Sequence, residues 1–211
     1  ISNIGWHNAL LICAVTVMLI APLSAALAED KKTQAASRQS IPEALREALG
    51  HRGFLLLCSG YFVCGFQIVF ISVHFPAYML DQRMTAETGM KALALIGLFN
   101  IFGTYLWGWL GQHYTKKYVL SALYFTRAAV VAIFILVPLS PATVYLFAAT
   151  IGFLWLGTVP VTSGLIADVF GVKYLATLTG IAFLFHQVGS FFGAWLGGYL
   201  FDATGSYQLM W

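Results

Sequence analysis

FLLLCSGYFVCGFQIVFISVHFPAYML, residues Phe54–Leu80, runs for 27 residues without an Asp, Glu, Lys or Arg. A helix rises about 1.5 Å per residue and the hydrocarbon layer of a bilayer is about 30 Å thick, so ~20 apolar residues suffice to cross it. The stretch is long enough to span, and its neighbours on both sides repeat the pattern. Asn8–Ala28, Ala92–Gly111, Tyr118–Pro138, Thr143–Ala167 and Leu175–Phe201 are five further apolar runs. The expected fold class is therefore all-α, a polytopic membrane helical bundle of six transmembrane helices embedded in a lipid bilayer.

The charges between the runs assign the sides. Lys31, Lys32, Arg38, Arg46, Arg52, Lys116, Lys117 and Lys173 fall in the first, third and fifth gaps, whereas the second and fourth hold Arg83 and Lys91. Short loops rich in Lys and Arg stay inside, so the odd gaps are expected in the cytoplasm and the chain in a cell (inner or plasma) membrane. The first run also resembles a signal-peptide core ending at Ala26-Leu27-Ala28, but no Lys or Arg precedes it. A true span is the preferred reading.

Composition excludes several classes. Hydrophobic residues make up 60% of the chain, charged residues 9%, and the mean hydropathy is +0.81. A soluble domain carries about a quarter charged residues. The net charge of +3 reflects the loop bias and predicts no nucleic-acid partner. Cys13, Cys58 and Cys64 lie in apolar runs, where a thiol behaves as a small hydrophobe, and no cofactor or metal is expected. The spans lack paired carboxylates, H-E-x-x-H and G-x-S-x-G, so the chain is not expected to be an enzyme.

The main hydrophilic stretch is Glu29–Arg52. Within it Ser40-Ile41-Pro42-Glu43 has capping-box spacing and predicts a short helix over Ile41–Leu49, with Ile41, Ala44, Leu45, Ala48 and Leu49 on one face and Glu43, Arg46 and Glu47 on the other. That helix is expected to lie on the cytoplasmic membrane surface, or else to be part of a solvated linker. The expected organisation is residues 1–28 as a membrane helix, 29–52 as a cytoplasmic loop, and 53–211 as a bundle of five spans. Pro22, Pro76 and Pro160 interrupt runs, each removing an amide that would bond the carbonyl four residues earlier, and predict bends. Gly189, Gly193 and Gly197 form a ridge that permits close helix contact.

Function is sought among polar residues inside the spans, because such residues are costly in hydrocarbon and tend to line cavities. Gln67, Asn100 and Gln187 fall near one depth in three spans. His74 lies seven residues after Gln67 on the same helix face, and His186 adjoins Gln187. Arg127 is the charged residue deep inside a span, at an insertion cost of ~2.5–3.5 kcal/mol. It suits either a bidentate bond to a carboxylate or a purely structural hold on neighbouring carbonyls. Asp81, Asp168 and Asp202 all sit at span ends, leaving His74 and His186 as the titratable candidates for handling protons near neutral pH.

Three motifs carry a family resemblance. Gly108-Trp109-Leu110-Gly111-Gln112-His113-Tyr114-Thr115-Lys116-Lys117, with Leu120, resembles the G-x-L-x-D-R-x-G-R-K-x-x-L loop of the major facilitator superfamily. Gln112, His113 and Thr115 replace the acid, the arginine and the second glycine. Asp168–Gly180 and the tail from Gly193 through Gly197, Phe201, Asp202, Gly205 and Tyr207 are similar to the monocarboxylate-porter and oxalate/formate-antiporter branch.

The resemblance implies helices six to eleven of a twelve-helix carrier, with residues 1–28 as the helix that ends the first half, that half beginning upstream, and the last helix missing. It further implies alternating access to a small solute, with protons as the candidate coupling ion, at a site lined by Gln67, His74, Asn100, Thr158, His186 and Gln187. Arg127 would lie on a peripheral helix. The Asp and Arg that monocarboxylate porters often carry before the loop align with Asn100 and Thr104, so that pair is absent. A small organic anion such as a carboxylate is the expected substrate; the alternative is a membrane sensor or scaffold that keeps the fold without transporting.

Overall fold

Glu43 supplies the first local decision. In the computed structural model its carboxylate accepts the Ser40 N–H at 2.7 Å, closing the start of α1 (Ile41–Gly50). The structure describes residues 40–207 and 211, together with the helical residues His7, Asn8, Leu11, Ala14, Val15 and Met18. Most of the first expected span, with Cys13, Pro22 and the loop residues 29–39, therefore lies outside the described residues. The chain divides into two units, Ile1–Arg38 and Gln39–Trp211.

Ser40 holds the Glu43 carboxyl below the usual carboxylate range by donating its backbone N–H, then its side-chain hydroxyl. Because the folded form ionises more readily, this bond stabilises α1 above the ordinary value near 4.5 and fades as pH falls through the lowered folded value. Amide exchange at Ser40 is expected to accelerate below that point, and Glu43→Gln to remove the pH dependence. Equal protection in both proteins across the acid range would rule the cap out as its cause.

All of the described elements are helices. His51 Nδ1 accepts from Phe54 N and opens α2 (Arg52–Asp81), which continues through Pro76 as a single helix. Thr85 caps α3 (Ala86–His113) by accepting from Thr88 N. This helix begins well before the expected Ala92, because the exposed pair Glu87–Lys91, 2.7 Å apart at i,i+4 spacing, extends it into the polar layer. After α4 (Lys116–Leu136), Ser140 and Thr143 cap each other reciprocally and start α5 (Pro141–Phe153). Next comes α6 (Thr158–Phe170), which ends at Gly171 with φ +76°. The last helix is α7 (Leu175–Thr204), ending at Gly205 with φ +68°, a left-handed position that glycine adopts without a Cβ penalty.

Five segments among the described residues are long and apolar enough to cross a membrane, with Pro141–Phe170 taken as one. The expected span Thr143–Ala167, in which Pro160 predicts a bend, is two half-helices separated by Leu154–Gly157. Pro160 falls in the first turn of α6, where a missing N–H costs no helical bond.

Glycine sets how closely the helices pack. A Cβ at Gly189 or Gly193 of α7 would overlap the carbonyls of Phe62 and Phe66 on α2, and one at Gly65 of α2 would overlap the carbonyl of His186. The ridge seen in the sequence is therefore the α2–α7 crossing. Gly103 and Gly152 make a second such crossing, against Phe153 and Ile96, which draws α3 onto the C-terminal end of α5. The two half-helices belong to different cores. Val144, Phe147, Ala148 and Ile151 of α5 pack with Phe75, Ile96 and Phe134, whereas Ile166 of α6 packs with Phe54, Cys58, Tyr61 and Leu178.

Candidate functional site

A helix interrupted inside a bilayer exposes backbone groups that have no water to bond, at a cost of several kcal/mol each. At the α5–α6 break four such groups are taken up by side chains. Trp107 Nε1 on α3 donates to the Phe153 carbonyl at 3.2 Å. Arg127 Nη2 on α4 donates to the carbonyls of Leu154 and, at 2.7 Å, Trp155. The Leu156 N–H donates to Asn100 Oδ1 on α3 at 3.1 Å, and the same oxygen accepts from the Thr104 hydroxyl.

The geometry also accounts for a buried cation. Arg127 is 2% exposed. Among the described residues the ion pairs are Lys91–Glu87 and Lys116–Asp168, so no carboxylate neutralises Arg127. Its compensation comes instead from the C-terminal end of α5, where unpaired carbonyls carry the negative end of the helix dipole. Nη1 further donates to Cys64 Sγ at 3.1 Å, and the guanidinium carbon lies 5.7 Å from the Tyr124 ring centre. Arg127 Nε is buried without a partner.

Cys64 on α2 is the hub of this cluster. Its sulfur is 3.6 Å from the Thr158 hydroxyl at the start of α6, and the His186 side chain of α7 lies beside it. His186 in turn stands 5.6 Å, ring to ring, from Tyr61 and bonds Gln187 Oε1 at 3.3 Å. Four of the expected site residues, Asn100, Arg127, Thr158 and His186, thus surround the break and Cys64. Of the others, Gln187 is exposed next to His186 and Gln67 is half-buried on α2. The described hydrogen bonds do not join Gln67, Asn100 and Gln187 to one another. His74 stands apart as well. Its Nε2–H donates to the Ala194 carbonyl at 2.9 Å, which leaves Nδ1 of the neutral ring to accept from the Tyr207 hydroxyl at 3.3 Å.

Cys64 and Trp107 escaped the sequence reading. A cysteine or tryptophan in an apolar run reads as packing, and nothing in its spacing marks it. For the break itself a signal existed: Gly157 precedes Pro160 by three residues, pairing a flexible residue with one suited to a first helical turn. Among the described residues no group of three His, Cys, Asp or Glu could hold a metal ion.

A family model for the Major Facilitator Superfamily matches residues 1–194. An uncharacterised MFS-type transporter, YcxA, of Bacillus subtilis (strain 168) is 29% identical over 74% of this chain and 39% of its own length. Monocarboxylate transporter 12-B of Danio rerio is 28% identical over 73% of this chain and 31% of its own. Monocarboxylate transporter 13 of Rattus norvegicus is 26% identical over 98% of this chain and 49% of its own. The chain thus spans less than half the length of each of these relatives.

Proposed function

The chain belongs to the Major Facilitator Superfamily, and on that premise we propose that it is the C-terminal part of a secondary transporter moving a small organic anion, such as a carboxylate, by alternating access. The multi-pass membrane character rests on the family and on the five spanning segments. The observation that carries the substrate reading is the buried Arg127, a cation with no carboxylate partner among the described residues, sharing one cluster with Asn100, Thr158 and His186. The names of two relatives, both monocarboxylate transporters, point the same way.

Within this reading the polar residues divide by what they already hold. Asn100 and Arg127 shape the broken helix, and the Arg127 charge raises the local potential for an anion without leaving its carbonyls. Gln67 and Gln187, not fully buried, have surface to offer a solute, whereas Thr158 and His186 are buried. His74 is a candidate proton carrier. The first helical half, of which residues 1–28 would be the last helix, would supply the opposite wall of the cavity, and residues 29–52 the cytoplasmic connection between halves.

Uptake of labelled monocarboxylates and dicarboxylates into proteoliposomes holding the full-length protein, with and without a pH gradient, tests this. Saturable uptake is expected. Losing one hydrogen bond to an ionised solute, worth about 1.5–3 kcal/mol, should lower apparent affinity at least tenfold in Gln67→Ala and Gln187→Ala. Inserted, monodisperse protein that carries no anion at all would favour the sensor or scaffold reading.

A further inference from the structure

A groove of about 330 Å³ runs between α2 and α4, lined among others by Leu56, Leu57 and Gly60 of α2 and by Lys117, Leu120 and Tyr124 of α4. We infer that this groove is a binding site for one anionic glycerophospholipid, its phosphate at Lys117 and an acyl chain against Gly60 and Leu120. The inference rests on the membrane location of the chain and is independent of whether, or what, the protein transports.

Helical spacing builds the ligand's outline. Lys117 and Tyr124 are seven residues apart and share one face of α4, so Tyr124 lies ~10 Å deeper along the helix. The opposite wall is opened by Gly60, where a side chain would begin to fill the groove: its missing Cβ would lie 3.6 Å from the Tyr124 ring and hydroxyl. A polar entrance above an apolar trough is the shape of a headgroup above an acyl chain.

Charge specifies the headgroup. Lys116, next along the chain, is tied to Asp168 at 2.8 Å. Lys117 is in no ion pair among the described residues, and its ammonium rests 4.8 Å from the Tyr118 ring centre. It also sits in the first turn of α4, whose Thr115 cap makes no side-chain bond to the open N–H groups, an arrangement that favours a phosphate. Leu56 at 73%, Tyr118 at 67% and Phe125 at 78% exposure flank the groove, an apolar rim of the kind that faces lipid.

Native mass spectrometry of the detergent-solubilised full-length protein, equilibrated with equal phosphatidylglycerol and phosphatidylcholine, reads occupancy directly. Wild type is expected to retain one phosphatidylglycerol in preference to phosphatidylcholine. Lys117→Ala should lower that retention about fivefold, the effect of one basic residue at an anionic surface. Gly60→Leu should abolish retention of both lipids while far-UV circular dichroism shows the helices intact, and Lys91→Ala, outside the groove, should change nothing. Equal retention of the two lipids by wild type, unchanged retention in Lys117→Ala, or an equal loss in Lys91→Ala would overturn the assignment. Should Gly60→Leu fail to fold, the comparison of Lys117→Ala with Lys91→Ala decides alone.

Discussion

Arg127→Leu is expected to be among the most destabilising single substitutions in this chain. It removes the donors to the Leu154 and Trp155 carbonyls, and a buried acceptor left alone costs about 1–3 kcal/mol, so ~2–6 kcal/mol is lost at the break. Relief of the cation's own desolvation, ~2.5–3.5 kcal/mol on an insertion scale, opposes that loss. The dipole of α5 already repays part of the desolvation in the native protein, so the orphaned carbonyls dominate. Arg127→Lys keeps the charge but loses the planar fork, and should fall between wild type and Leu. Thermal unfolding in detergent micelles, followed by monodispersity, ranks the three proteins. A Leu variant as stable as wild type would mean that the break finds its partners elsewhere, and would return Arg127 to consideration as a direct ligand for the transported anion.

The second large effect concerns the α2–α7 crossing. Gly189→Ala places a methyl inside the contact radius of the Phe62 carbonyl, and overpacking of this kind costs about 1–3 kcal/mol. Backbone rather than a flexible side chain blocks the site, so the helices themselves must separate. Gly189→Leu should be worse still, with loss of folded protein. Gly198 is the internal control, since an added Cβ there meets nothing within 4 Å and Ala should gain about 0.5–1 kcal/mol from helix propensity. Equal behaviour of the Ala variants at 189 and 198 would show that the crossing is looser than the structure makes it.

Both predictions concern residues the sequence singled out: the ridge is the packing surface its spacing predicts, and Arg127 takes the second of its two readings, a hold on neighbouring carbonyls. The Gly189–Gly197 ridge was legible because four-residue spacing alone puts these positions on one helix face. Its partner, α2, was not legible, since several apolar helices offer similar surfaces. Arg127 stood out because a charge within an apolar run is rare. Whether it faces a solute or a backbone carbonyl depends on a neighbouring helix that spacing does not describe. Asn100 follows the same pattern: its depth suggested a cavity wall, and its oxygen accepts the Leu156 amide.

The spans, their alternation with basic loops, the capped start of α1 and the membrane-protein class were determined by the sequence alone. Each depends on partition between water and hydrocarbon or on bonds within a few residues, and those are properties of the chain read in one dimension. The division of the fifth span at Leu154–Gly157, the grouping of Cys64, Arg127, Thr158 and His186, and the assignment of α5 and α6 to separate cores were decided by tertiary structure. These depend on the rotation and register of one helix against another, which bring side chains from α3 and α4 within 2.7–3.2 Å of backbone groups that Gly157 and Pro160 had only made available.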